Sequence, residues 1–176
     1  TLVGGAGADT LVGGLGSDTT SYVSSTLAVT VNLASGLASG GDAQGDVLAG
    51  VENVTGSTQS DALTGDANGN VLDGEAGNDT IIGGAGADTL VGGAGLDTTD
   101  YSTSSASVSV NLGAGVGTGG DAQGDTYSGI ENVIGSSQSD TLVGDAATNM
   151  LEGGFGDDSL QGGAGADTLI GGLGLD

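Results

Sequence analysis

Aspartates recur in phase with glycines along most of the chain. The phrase GGAGADTLV begins at Gly83, and nine-residue variants of it follow one another from Gly56 and again from Gly135, with two more from Gly4. The sixth residue of each variant is usually Asp and the eighth is usually Leu or Ile. Carboxylate and main-chain carbonyl oxygens are the ligands that hard cations, calcium above all, prefer. The spacing therefore indicates cation binding through oxygen.

The composition excludes several other kinds of chemistry. The 176 residues include 23 Asp and Glu but no Lys, Arg, His or Cys, so the formal charge is −23. Such a chain repels nucleic acid, lacks the lysine of a phosphate-binding loop, and has no imidazole or thiol for catalysis or zinc binding. No stretch approaches the roughly 20 apolar residues of a membrane span. Hydrophobic residues nevertheless make up 36%, which argues against a disordered acidic tail.

The nine-residue phrase divides into a turn and a strand. Its first six residues are rich in glycine, which permits positive φ, and its last three are short and β-prone. Side chains alternate across a strand, so only the eighth residue points inward. Two phrases make one 18-residue coil of strand–turn–strand–turn, which predicts a solenoid because one repeat cannot bury its apolar face alone. The predicted inward residues are Leu63, Leu72, Ile81, Leu90, Leu142, Leu151, Leu160 and Leu169.

An 18-residue coil places the sixth residues in columns. The predicted columns are Asp61, Asp79 and Asp97 on one edge with Asn70 and Asp88 on the other, then Asp140, Asp158 and Asp176 with Asn149 and Asp167. Strands stack about 4.8 Å apart, so bare carboxylates of one column repel each other strongly. A divalent cation between successive turns, held by carboxylates and turn carbonyls, would reverse the sign of that interaction.

A second, 79-residue period sets the domain organisation, since GGDAQGD at Gly40 returns at Gly119. We predict one continuous solenoid with the end of a first nonapeptide block at 1–21, inserts with longer strands at 22–55 and 101–134, a block of five nonapeptides at 56–100, and a further, truncated block at 135–176. The chain is thus expected to be a fragment of a longer array. Acidic residues of the inserts are interpreted mainly as loop charge, with an additional cation site as the alternative: Asp42, Asp46, Glu52, Asp121, Asp125 and Glu131.

The phrase GGxGxDxUx, with U a large apolar residue, resembles the RTX (repeats-in-toxin) calcium-binding nonapeptide. Together with DTTDYS, VSVNL, IENVIGSSQSDTLVGD and NMLEGGFGDDSLQGG, it is similar to the C-terminal domain of serralysin-type secreted proteases. The resemblance implies a right-handed parallel β-roll that is disordered without calcium and binds several Ca²⁺ ions. It also implies export by type I secretion machinery to the cell surface or extracellular space.

The resemblance further implies which residues hold the ions. Sixth-position carboxylates would bind calcium: Asp9, Asp18, Asp61, Asp79, Asp88, Asp97, Asp140, Asp158, Asp167 and Asp176. Turn carbonyls would complete the sites, around Gly5, Gly7, Gly14, Gly16, Gly84, Gly86, Gly93, Gly95, Gly154, Gly156, Gly163, Gly165, Gly172 and Gly174. Asn70 and Asn149 lower the local charge, and Gln59 and Gln138 replace a glycine. The best sites are therefore expected around 74–97 and 153–176.

The leading hypothesis is a non-catalytic calcium-binding module of a larger secreted or surface protein. The alternatives are an accessory module of a secreted polysaccharide-active enzyme or protease, and an adhesive or ice-binding surface built on the outward threonines at the seventh position. End-to-end or surface assembly of such a repeat is also open. Two similar copies in the same register favour a scaffold over an active site.

Overall fold

A computed structural model describes all residues from Thr1 to Asp176. The chain folds into nineteen strands and two short 3-10 turns, Gly41–Ala43 and Gly120–Ala122. It forms no helix long and apolar enough to cross a membrane. The strands are β1 (Thr10–Val12), β2 (Thr19–Ser21), β3 (Thr30–Asn32), β4 (Leu37–Ser39), β5 (Val47–Ala49), β6 (Asn53–Thr55), β7 (Ala62–Thr64), β8 (Val71–Asp73), β9 (Thr80–Ile82), β10 (Thr89–Val91), β11 (Thr98–Asp100), β12 (Ser109–Asn111), β13 (Val116–Thr118), β14 (Thr126–Ser128), β15 (Asn132–Ile134), β16 (Thr141–Val143), β17 (Met150–Phe155), β18 (Ser159–Gln161) and β19 (Thr168–Leu173).

The strands form two sheets, and the nonapeptide strands alternate between them. The ten-stranded sheet has the order β1-β5-β4-β3-β7-β9-β11-β15-β17-β19, and the nine-stranded sheet has the order β18-β16-β12-β13-β14-β10-β8-β6-β2. Within the repeats, each strand pairs in parallel with the strand two nonapeptides further along, as Thr80 does with Thr98 and Val71 with Thr89. The predicted all-β parallel roll of 18-residue coils is confirmed.

The core between the sheets consists mainly of the eighth residues of the repeats. Leu63, Leu72, Ile81, Leu90, Leu142 and Leu151 are completely buried. Leu160 packs against this core while partly buried, and Leu169 is 46% exposed because β19 is the last strand of its sheet. The seventh-position threonines face solvent, as predicted: Thr10, Thr80, Thr89, Thr141 and Thr168.

The inserts differ from the prediction of longer strands. Every strand in them has three residues, and each insert contributes an up-down-up trio to a single sheet. In the first insert, β3 continues the parallel pairing with β7, β4 runs antiparallel between its neighbours, and β5 pairs in parallel with β1. Extra residues therefore widen one sheet by reversing direction, because the turn at Gly36 brings the chain back beside itself.

The two inserts widen opposite sheets. The trio β3–β5 lies in the ten-stranded sheet, and the equivalent trio β12–β14 lies in the nine-stranded sheet. Repeat strands that correspond across the 79-residue period likewise change sheet: β7 belongs to the ten-stranded sheet and β16 to the nine-stranded one. Successive 79-residue units are therefore turned by half a coil relative to each other.

Candidate calcium-binding turns

The sixth residues of the repeats form two hydrogen-bonded columns along the edges of the roll. The main-chain N–H of Asp61 donates to Oδ1 of Asp79 over 2.7 Å, and the N–H of Asp79 donates to Oδ1 of Asp97 over 2.8 Å. The same bond joins Asn70 to Asp88 and Asp140 to Asp158. The predicted columns are thus present, and one oxygen of each of these carboxylates binds the neighbouring coil.

The second oxygen of several carboxylates has no partner. Oδ2 is buried and accepts no hydrogen bond in five of the predicted residues: Asp9, Asp79, Asp88, Asp97 and Asp158. Asp79, Asp88 and Asp97 are at most 1% exposed. A buried charged oxygen without a donor or cation is strongly unfavourable, so these positions call for a cation.

Electrostatics around these oxygens point the same way. The pKa of Asp79 is raised to about 7, mainly by burial and in part by the negative charges of Asp97 and Asp61, although the hydrogen bond from the Asp61 main chain acts to lower it. Burial also raises the pKa of Asp88 to about 7, with a contribution from the Asp125 charge. The pKa values of Asp97 and Asp158 are raised for the same main reason. A positive charge is what this environment lacks.

The glycines of the turn make room for these carboxylates and direct the chain around them. A Cβ on Gly83, the first residue of its repeat, would lie 2.5 Å from Oδ2 of Asp88, so only glycine fits beneath the carboxylate. Gly84 and Gly86 have φ of 89° and 137°, which side-chain-bearing residues rarely adopt. The remaining second- and fourth-position glycines of the predicted sites also have positive φ, with the single exception of Gly174.

Asp61 and Asp140 are predicted ligands whose oxygens are already engaged. Oδ2 of Asp61 accepts the N–H of Ser57 over 2.5 Å, while Oδ1 accepts the Ser57 hydroxyl over 2.9 Å and the N–H of Val29 over 2.7 Å. Ser136 and Val108 surround Asp140 in the same way. These two turns satisfy their carboxylates with protein donors.

Asn70 and Asn149 satisfy their positions without charge. The Asn70 Oδ1 accepts the N–H of Asp66, and its Nδ2 donates to the carbonyl of Glu52, both over 2.8 Å. Asn149 makes the corresponding bonds to Asp145 and Glu131. The asparagine amide thus places a donor where an aspartate would present a second bare oxygen.

The interpretation of Asp46 and Asp125 as loop charge is wrong. Both are 1% exposed and occupy positions in the columns, because the N–H of Asp9 donates to Oδ1 of Asp46 and the N–H of Asp88 to Oδ1 of Asp125. Their other oxygens accept tyrosine hydroxyls, Tyr22 at 3.0 Å and Tyr101 at 2.6 Å. Sequence reasoning missed this role of the tyrosines, although each lies 24 residues before its aspartate in both inserts.

Glutamates from the inserts also enter the columns. One carboxylate oxygen of Glu52 accepts the N–H of Asp18, and one of Glu131 accepts the N–H of Asp97, each over 2.9 Å. Asp42 and Asp121 lie instead within the 3-10 turns, where their N–H groups donate to the hydroxyls of Ser25 and Ser104. The six acidic residues of the inserts therefore do not form two separate sites.

The remaining predicted ligands lie in the columns but are less enclosed. Asp18 and Asp167 are partly exposed, and Asp176 is exposed. Oδ1 of Asp167 and of Asp176 still accept the N–H groups of Asn149 and Asp158, respectively. No group of three or more acidic side chains converges anywhere in the chain. A bound ion would therefore draw on single carboxylates and main-chain carbonyls, a donor set of oxygens that suits calcium.

The comparison with protein families agrees with this geometry. The model of the RTX calcium-binding nonapeptide repeat (4 copies) matches residues 1–20, 46–78, 64–98, 125–160 and 143–176. A comparison with curated proteins found no match. The matched ranges include all five aspartates with a buried, unpartnered oxygen and leave out most of both inserts. The chain therefore belongs to the RTX calcium-binding nonapeptide repeat family, whose repeats bind several Ca²⁺ ions in a β-roll.

Proposed function

We propose that this calcium-binding β-roll is a structural module of a larger secreted or cell-surface protein, and that extracellular calcium drives its folding. The observation that carries the proposal is the set of five buried aspartate oxygens without a hydrogen-bond partner. Without cations, the net charge of −23 and these bare oxygens oppose the stacking of coils. With calcium bound only to the folded roll, the binding free energy becomes folding free energy.

This coupling suits export in an unfolded state. Type I secretion machinery passes chains from a calcium-poor interior to calcium-rich surroundings, so the roll would close only after export. The module would act there as a scaffold and not as an enzyme, since its buried carboxylates are committed to the columns and no cationic side chain is available to stabilise an anionic intermediate.

Circular dichroism of the whole chain tests the proposal. We expect the strand signal to rise with calcium, to fall when a chelator is added, and to respond far less to the same concentration of magnesium, which tolerates irregular oxygen sites poorly. A strand signal unchanged by chelation, with no ions detected by native mass spectrometry in calcium, would refute calcium-driven folding.

A further inference from the structure

We propose that calcium controls only part of this roll, and that the inserts with their adjoining turns form two segments that stay folded without it. This inference rests on the proposed calcium-driven folding and assigns it to particular coils. We call residues 22–73 and 101–152 the capped segments, and residues 1–21, 74–100 and 153–176 the open segments.

The distribution of unpartnered polar atoms separates the two kinds of segment. Seven buried side-chain oxygens in the chain lack a hydrogen-bond partner, and all seven lie in open segments. They are Oδ2 of Asp9, Asp79, Asp88, Asp97 and Asp158, and Oγ1 of Thr20 and Thr99. The capped segments bury many polar groups as well, including Asp46, Asp61, Asp125 and Asp140, yet each of their fully buried side-chain oxygens and nitrogens is satisfied.

In the capped segments, three kinds of side chain satisfy the sixth residues and the column carboxylates, a role that a cation would have in the open segments. A tyrosine hydroxyl binds the second oxygen of Asp46 and Asp125, a serine N–H and hydroxyl bind Asp61 and Asp140, and asparagine replaces aspartate at 70 and 149. In the second insert Tyr127 adds a further hydroxyl, 2.6 Å from that of Tyr101. The same order of devices occurs in both 79-residue units.

Each capped segment also contains a core of its own. In residues 22–73, strands β3, β4, β5 and β7 of one sheet face β6 and β8 of the other. The buried side chains between them include Tyr22, Val31, Val54, Leu63 and Leu72, all at most 1% exposed. Both sheets and the apolar layer between them are thus present without any open turn. Burial of this layer supplies the driving force that the open segments obtain only together with cations.

Hydrogen exchange measured by mass spectrometry on the whole chain tests this division. In calcium, we expect protection throughout the strands. In chelator, we expect amides of 74–100 and 153–176 to exchange as in an unfolded chain, and strand amides of 22–73 and 101–152 to exchange on the order of tenfold more slowly or better. Equal loss of protection everywhere would overturn the division while leaving calcium-driven folding intact. Retained protection everywhere would overturn both.

Two variants in the second 79-residue unit test whether the tyrosine and serine hydroxyls stabilise the capped segment. Tyr101→Phe and Ser136→Ala each remove a hydroxyl from a buried carboxylate and should lower protection of 101–152 in chelator, with the untouched 22–73 segment as an internal reference. Ser137→Ala is the matched control, because Ser137 is exposed and its hydroxyl only accepts a 3.4 Å bond from Gln138. The number of calcium ions seen by native mass spectrometry should stay that of the parent chain. A loss of ions in Ser136→Ala, or equal effects of Ser136→Ala and Ser137→Ala, would contradict the proposal.

Discussion

Asp61 and Asp79 are neighbours in one column, and both bury a carboxylate, but only that of Asp61 has hydrogen-bond donors for both of its oxygens. Both are at most 3% exposed, and each lies over a glycine that leaves no room for a Cβ. At Asp61, the N–H and hydroxyl of the second residue, Ser57, bind the carboxylate. At Asp79, the second residue is Glu75, whose φ is 70° and whose N–H donates to Asp73 instead.

The second residue of the repeat therefore separates the two kinds of turn. Ser57, Asp66, Ser136 and Asp145 direct their N–H groups to the sixth residue, and none of them has positive φ. Where Gly84, Gly93 or Gly154 stands at this position with positive φ, Oδ2 of the sixth residue accepts no hydrogen bond. A column of similar aspartates thus contains some carboxylates that require a cation and others that do not.

The largest effect is expected when the carboxylate charge is removed at an open turn, and the same change at a capped turn provides the comparison. We expect Asp88→Asn to lose one bound ion and to raise the calcium concentration at the folding midpoint about 10- to 100-fold, since loss of a residue that merely orients a ligand typically costs that much. Asp61→Asn should lower stability, because an amide nitrogen then faces protein donors, but should leave the ion count unchanged. Native mass spectrometry and calcium titration followed by circular dichroism measure both. Equal ion loss in the two variants would break the comparison.

Space beneath the carboxylate gives the next test. Gly83→Ala places a methyl group 2.5 Å from Oδ2 of Asp88 and should destabilise the calcium-bound roll by about 1–3 kcal/mol. Urea unfolding in saturating calcium measures this change. Ala85→Ser is the control, because residue 85 is exposed in the same turn. If both variants unfold at the same urea concentration as the parent chain, the carboxylate does not depend on the glycine.

A smaller effect is expected at the serine cap. Ser57→Ala removes one hydroxyl donor from Asp61 but leaves the N–H bonds from residues 57 and 29, so we expect a loss of about 1 kcal/mol. Thr58→Ala, at the next and exposed residue, should change stability by less than half as much. Urea unfolding in calcium compares the two. A calcium midpoint that shifts more in Ser57→Ala than in Asp88→Asn would reverse the assignment of the two turns.

The smallest effect concerns pH. Burial raises the pKa of Asp79 and of Asp88 from an ordinary 3.8 to about 7 in the metal-free roll. The unfavourable charge is therefore fully present above about pH 7 and is relieved as pH falls toward 3.8, so acidification in chelator should favour folding of the open segments. In calcium, these carboxylates are ionised both in the unfolded chain and beside the ion, so the calcium concentration at the folding midpoint should stay nearly constant between pH 8 and pH 6. Calcium titrations at pH 8, 7 and 6 and strand signal in chelator at the same pH values measure both effects, and a midpoint that rises steeply as the pH falls would contradict the prediction.

Periodicity predicted the fold well because each repeat places an apolar residue and an acidic residue at the same positions of a turn and a strand. Leu72 and Leu90 both occupy the eighth position, and that spacing alone implies two sheets, a shared core and columns of sixth residues. The path of the inserts could not be read in the same way. Val29 and Val31 alternate as in a longer strand, but reversal of the chain at Gly36 depends on contacts with β1 and β7, which are distant in sequence.

The sequence predicted the positions of the candidate ligands, but it did not predict which of these aspartates are satisfied by protein donors and which are not. Spacing identified Asp61 and Asp79 equally, since both are sixth residues. The distinction depends on the φ of residue 57 and residue 75 and on hydrogen bonds that form only in the turn. Ser at the second position is the local signal that could have marked two of the capped turns. The tyrosine caps carry a weaker signal, because Tyr22 and Asp46 meet across an insert whose course does not follow from the sequence pattern.

The half-coil offset between the 79-residue units has a geometric consequence for recognition. Because the first trio of insert strands lies in one sheet and the second in the other, the two similar inserts face in opposite directions. A binding partner specific for the outer surface of an insert would find one copy on each side of the molecule. Two such partners could attach without competing for space, and a partner with two arms on one side could not reach both.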